Sequence, residues 1–301
     1  MRSILVFLIS AVLLAGCSGT QVLNNLTPES GYKTATNVIY SPGQDLRMDI
    51  YTPNGLQNAP VVLFFYGGRW SSGSKDEYKF VGEALASRGF VAAIADYRLY
   101  PKVRFPAFVE DGARAVKWLN GNVQQYGGNP QKIFVMGHSA GAHIAALLSV
   151  REIYLEKVGG SRSMLRGMIG LAGPYDFLPI TDPTLRDIFG PPENFEYSQP
   201  VLFAEGDNPP MLLMHGEDDD TVWVKNTRNL AAAVSKAGGP VETVIYPKMG
   251  HGRMVASLSR PLRGQTDVIQ HVADFVTRWS DQRYVDSNAP TGGIETVPLQ
   301  P

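Results

Sequence analysis

The pentapeptide Gly137-His138-Ser139-Ala140-Gly141 constrains this chain more than any other stretch. Ahead of it, Ile133-Phe134-Val135-Met136 is a short apolar run with two β-branched residues and predicts a buried strand. Behind it, Ala142-His143-Ile144-Ala145-Ala146-Leu147-Leu148 is rich in helix formers. A strand that turns at once into a helix through G-x-S-x-G is a nucleophile elbow. So tight a turn leaves no room for a side chain at either flanking glycine. The serine is expected in strained backbone geometry, its hydroxyl proud of the sheet above the positive end of the following helix.

Around this turn, apolar runs alternate with amphipathic segments. Residues 37–40 and 47–51 flank Ser41-Pro42-Gly43-Gln44 and predict an antiparallel hairpin. A continuous apolar run at 61–66 predicts a strand covered on both faces, 91–95 and 133–136 predict further buried strands, and 168–171, 211–215 and 241–246 also read as strands. Helices are expected at 78–87, 226–237 and 268–279. A longer one carries Phe108, Val109, Gly112, Ala115, Val116 and Leu119 on a single face. Such alternation implies an α/β fold, a mostly parallel sheet wrapped on both sides, with its site beyond the carboxyl ends of the strands.

The two ends read differently. Met1-Arg2-Ser3 precedes an apolar run from Ile4 to Ala15, too short to span a bilayer comfortably and suited to an export signal. Leu14-Ala15-Gly16-Cys17 resembles the bacterial lipobox, which implies removal of residues 1–16 and lipid modification of Cys17. Ser18 in place of aspartate then implies the outer membrane rather than the inner, on the periplasmic side. Cys17 is the only cysteine, so no internal disulfide is possible. Residues 17–32 are polar and turn-rich and read as a flexible tether to a single domain over 33–280. From 281 to 301 the hydrophobic periodicity is lost, and a disordered tail is expected. A formal charge of −1 with no basic run argues against nucleic acid as a partner.

A serine hydroxyl needs a base, and histidine has the matching pKa. Of the five histidines, His138 lies inside the elbow, where its side chain should point away from the serine. His143 falls on the next helix and His271 on the last one, while His215 closes a strand. His251, in Met249-Gly250-His251-Gly252 just after the final strand, is placed as the base of a Ser…Asp…His order. The acid has several candidates: Glu217-Asp218-Asp219-Asp220 after one strand, and Asp176 after the preceding one. Asp96 precedes the serine and reads as structural. Backbone donors for an oxyanion are expected at Ala140 and within Tyr66-Gly67-Gly68-Arg69-Trp70, where glycines let bare backbone approach a substrate. Trp70, Phe177 and Trp223 are candidate pocket residues, and the Pro- and aromatic-rich segment 174–208 is expected to form a short cap. No cluster has zinc or calcium spacing and no phosphate or dinucleotide fingerprint occurs, so neither metal nor cofactor is expected.

With these residues assembled, the chain resembles the α/β-hydrolase superfamily over about residues 37–279. It is most similar to carboxylesterases of the hormone-sensitive-lipase and feruloyl/acetyl-esterase-like group. The similarity rests on Asp96–Pro101, Tyr126–Pro130, Gly137–Gly141 and His215–Val222, and residues 126–145 also resemble isoprenylcysteine methylesterases and kynurenine formamidase-like proteins. The resemblance implies an eight-stranded, mostly parallel sheet with an N-terminal antiparallel hairpin. Its pattern H-G-x-x-D-x-x-V selects Asp219 as the acid beside Ser139 and His251. It also implies oxyanion N–H groups from Gly68, Arg69 and Ala140. One departure stands out: the group's H-G-G-G is Tyr66-Gly67-Gly68-Arg69 here. The expected activity is hydrolysis of small carboxylic esters through an acyl-enzyme, with a formamidase-like amide hydrolase or a non-catalytic envelope-binding lipoprotein as alternatives.

Overall fold

Phe64 and Phe65 are adjacent on one strand and wholly buried on opposite faces of it. The Phe64 ring lies 5.6 Å from that of Tyr78, while a Cβ placed on Gly112 would stand 3.2 Å from Phe65 on the other side. A strand can be apolar at every position only when helices cover both faces of its sheet, and that is the architecture here.

The computed structural model describes residues 19–281. Eight strands are present among them: β1 (Tyr32–Ser41), β2 (Leu46–Pro53), β3 (Ala59–Phe65), β4 (Val91–Ala95), β5 (Gly128–His138), β6 (Leu165–Leu171), β7 (Met211–Gly216) and β8 (Val241–Tyr246). They form one sheet in the order β1-β2-β4-β3-β5-β6-β7-β8. The β1–β2 hairpin and the β2–β4 pair are antiparallel and every other pair is parallel, as expected. Helix Lys79–Ala86 packs against Val268–Asp281, and Ala107–Asn122 packs against Ala140–Val150. Because β3, β5, β7 and β8 run the same way, the segments after Phe65, His138, Gly216 and Tyr246 all emerge at one edge. That edge carries the site.

The structure departs locally from expectation at the start of β5, in the residues before β1 and at the end of the last helix. Strand β5 begins at Gly128 rather than Ile133, pairing with Ala59 across a register shift; polar residues and Pro130, which has no N–H to give, hide this start from an apolar pattern. The region expected as a tether contains a helix, Gly19–Asn25. Its Asn24 amide donates to the Asp76 carbonyl and accepts from Phe80 N–H, one of the unpaired donors at a helix start. Segment 174–208 holds helix Pro183–Phe189 and two 3-10 turns, Pro192–Ser198 and Pro200–Phe203. The last helix runs through Asp281, where the tail was expected to begin. The signal segment 1–16, Cys17 and residues 282–301 lie outside the described residues. Among the described residues no helix is long and apolar enough to cross a membrane.

Candidate active site

Ser139 occupies φ +55°, ψ −121° between β5 and helix Ala140–Val150, a conformation rare for any residue but glycine. Its N–H donates to the Leu171 carbonyl at 2.9 Å, which pins the turn to the neighbouring strand. Close packing accounts for both flanking glycines. A Cβ on Gly141 would lie 2.0 Å from the Phe65 carbonyl oxygen, and one on Gly137 2.2 Å from the Gly141 carbonyl.

The His251 imidazole reaches Ser139 from the loop after β8. That residue opens a short helix, His251–Ala256, rather than lying within the expected loop. Its Nε2 is 2.8 Å from Ser139 Oγ and its Nδ1 is 2.7 Å from Asp219 Oδ2. An ionised carboxylate can only accept, so Nδ1 carries the proton and Nε2 is left free to accept from the serine hydroxyl. The four consecutive acids separate by burial: Glu217, Asp218 and Asp220 are exposed, and Asp219 alone is buried. Asp219 Oδ1 accepts from the N–H groups of Thr221 and Val222, which folds the acidic run back on itself and aims Oδ2 at His251. Burial alone would raise the pKa of this carboxyl. The hydrogen bonds from His215, His251 and Val222 N–H outweigh that and hold it well below the usual carboxylate range. Asp176 instead accepts from Asn229. Asp96 accepts from Tyr66 OH and Lys75 N–H.

Two histidines set aside as bases nonetheless touch the constellation. His215 donates from Nε2 to the Val222 carbonyl at 2.7 Å, and Asp219 Oδ2 stands 3.2 Å from the same nitrogen. Its Nδ1 accepts from Thr227 Oγ1 at 2.8 Å. His215 thus braces the turn that presents the acid, and the four-residue spacing to Asp219 is the signal that could have found it. His138 lies against His251, the two rings 4.7 Å apart. His143 is fully buried and donates from Nε2 to the Ser198 carbonyl at 2.7 Å, tying the elbow helix to segment 174–208. His271 stands by Asp267 on the last helix, apart from the site.

The Tyr66–Trp70 loop lies directly on the elbow: a Cβ on Gly67 would be 3.1 Å from Ser139 Cβ. Tyr66, in the place of the related histidine, donates its hydroxyl to Asp96 Oδ1 at 3.1 Å and its carbonyl accepts from Tyr97 OH. Its ring stacks between those of Tyr78 and Tyr97. Gly68 has φ +125°, and a Cβ there would meet the Ser72 carbonyl oxygen at 2.1 Å, so only glycine fits. Arg69, Trp70 and Ala140 line a cavity of about 460 Å³ that opens on Ser139, and Gly68 is not among its lining residues. Phe177 and Trp223 line it as well, Trp223 at an exposed rim. Among the described residues no three His, Cys, Asp or Glu side chains gather as a metal site requires. A hydroxyl, a correctly protonated imidazole and a buried carboxylate beside an apolar cavity are the parts for proton-assisted nucleophilic attack on a carbonyl.

Comparison with known proteins points the same way. Residues 48–234 match the BD-FAE family model. The chain is 29% identical over 264 residues to a probable isoprenylcysteine alpha-carbonyl methylesterase of Arabidopsis thaliana, an alignment covering 80% of this chain and 55% of that protein. It is also 29% identical over 244 residues to Esterase LipC of Mycobacterium tuberculosis, covering 73% and 60%. The chain thus spans somewhat over half the length of these relatives. Among solved structures, Thermogutta terrifontis esterase 2 phosphonylated by sarin superposes with a TM-score of 0.70 at 26% identity, covering 83% of this chain and 96% of that one.

Proposed function

Because the chain belongs to the BD-FAE family and has the α/β-hydrolase fold, we propose that it is a serine hydrolase of small carboxylic esters. The observation that carries this reading is the unbroken line of contacts from Ser139 Oγ through His251 to Asp219 Oδ2, at 2.8 and 2.7 Å. Ser139 attacks the ester carbonyl while His251 Nε2 takes its proton. The imidazolium that forms is stabilised by Asp219, and the tetrahedral oxyanion by main-chain N–H groups of Ala140, Arg69 and Gly68. His251 then returns the proton to the departing alkoxide, leaving an acyl-serine. Water, activated by the same imidazole, releases the acid.

The test is labelling of folded protein with a fluorophosphonate, followed by peptide mass analysis, together with turnover of p-nitrophenyl esters. A covalent adduct on Ser139 and ester turnover abolished by Ser139→Ala are the expected results. No adduct would favour a binding role, and turnover of N-formylkynurenine without ester turnover would move the substrate to amides.

The same proposal extends to the N-terminal segment, where Leu14-Ala15-Gly16-Cys17 follows an apolar run. Lipid attachment at Cys17 would hold the enzyme at the envelope. Metabolic labelling with radioactive palmitate should mark the native chain and not Cys17→Ala.

A further inference from the structure

Arg69 and Asp182 belong to different walls of the cavity above Ser139. Arg69 extends the loop after β3 with φ +53°, and Trp70 follows at φ +59°. Successive non-glycine residues in this region persist only where the surroundings hold them. Arg69 Nη2 donates to Asp182 Oδ2 at 3.0 Å, while Oδ1 of the same carboxylate accepts from Leu185 N–H at 2.9 Å and caps helix Pro183–Phe189. One carboxylate therefore ties the start of that helix to the loop beside the serine.

The two ends of this short helix are held very differently. At its end, Ile188 and Phe189 are buried, Phe189 lies edge-on to Trp70 at 4.7 Å, and the Ile188 carbonyl accepts from Phe105 N–H. At its start, Pro183 and Thr184 are exposed, and the tie to the loop is the Arg69–Asp182 pair, its side chains 57% and 43% exposed. The helix is thus hinged at Phe189 and fastened at Asp182. Leu178, Ile180 and Leu185, carried by the same segment, form the apolar side of the cavity.

We infer that the Arg69–Asp182 pair is a clasp that closes the cavity between loop and cap and sets the size of ester that enters without cost. This rests on the esterase reading above. Compact esters react with the clasp shut, whereas larger ones must part it. An exposed ion pair is weak and screened by salt, so the clasp grades substrates rather than excluding them.

The measurement is the ratio of kcat/KM for p-nitrophenyl hexanoate to that for the acetate. The variants are Asp182→Asn, which retains a capping oxygen, Arg69→Gln, which retains the main-chain N–H, and the double variant. Each single change should raise the ratio by about two- to fivefold, the range an exposed pair supports, and the double change should raise it no further. About 1 M NaCl should raise the wild-type ratio by a similar factor and leave that of Asp182→Asn where it is. Amide hydrogen exchange over residues 184–187 reads the clasp without any substrate and should quicken by about the same factor in Arg69→Gln. Unchanged exchange in Arg69→Gln, or single-variant effects on the ratio that simply add, would overturn the clasp. Absence of ester turnover in the wild type would instead overturn the esterase reading, with the exchange arm still deciding the clasp.

Discussion

The His138 Nε2–H donates to the main-chain carbonyl oxygen of His251 at 3.2 Å, and the two imidazole rings lie 4.7 Å apart at 41°. The base is therefore held twice, at its ring by Asp219 and at its backbone by the residue just before the nucleophile. Burial, and then the charge that forms on His251, lower the His138 pKa to about 3, so His138 stays neutral and adds no repulsion when His251 takes a proton.

Replacing His138 by Leu removes the side-chain donor that ties the nucleophile turn to the His251 backbone. We expect kcat on p-nitrophenyl butyrate to fall roughly tenfold with KM within about twofold, since small displacements of a base are costly. His138→Gln, which can still donate, should recover most of the loss. Steady-state kinetics normalised to fluorophosphonate-titrated sites check both; equal rates for Leu and wild type would remove His138 from any positioning role.

Stability should fall on mild acidification. His138 titrates at about 3 and His143, through burial, at about 4, against about 6.5 in an unfolded chain. Below about pH 6.5 the unfolded state takes up protons that the folded state refuses, so these groups' stabilisation is full above that pH and drains away below it. Between about pH 7 and pH 5 each histidine should cost on the order of 2 kcal/mol. Urea denaturation at the two pH values measures the loss, and His143→Gln should remove about half of it. Asp219 works in a lower window. Its depressed pKa stabilises the fold above the ordinary carboxylate range and is lost only as pH falls through its folded value.

Asp219→Asn should cripple turnover while Asp218→Asn should not. Asparagine can keep Oδ1 on the Thr221 and Val222 amides, but its NH2 then faces His251 Nδ1 and forces the wrong tautomer. A loss of roughly 10³- to 10⁴-fold in kcat is expected from that exchange. Asp218 is exposed, so its variant should stay within about threefold of wild type, as surface substitutions generally do. The reverse order in an ester assay would reassign the acid.

Tyr66→Phe keeps the stacked ring and deletes the hydroxyl that Asp96 accepts from. Loss of one part-buried hydrogen bond should cost about 1–2 kcal/mol by urea denaturation. If Tyr66 also holds the loop carrying Arg69, kcat should drop severalfold while KM stays near its wild-type value, as loss of transition-state donors requires.

Much of this molecule was legible in the chain because it follows from neighbours a few residues apart. Gly137–Gly141 between an apolar run and a helix-forming one gives a strand, a tight turn and a helix wherever it stands. The unbroken apolar run through Phe64 and Phe65 demands cover on two faces, and the succession of such runs predicts the parallel sheet. Less visible were elements whose signal is masked locally: the start of β5 by Pro130, and helix Gly19–Asn25 by its polar composition.

The site divides the same way. Local pattern placed Ser139 and His251 at the ends of parallel strands, because side-chain period and turn geometry are properties of adjacent residues. The resemblance pattern had already selected Asp219; the tertiary structure supplied the burial that sets it apart from its acidic neighbours, and it alone put His138 on His251, gave Tyr66 its partner Asp96 and joined Arg69 to Asp182. These pairs are 30 to 113 residues apart in the chain. No short-range preference encodes them; strand order in the sheet brings their loops to one edge, and packing there decides which groups meet.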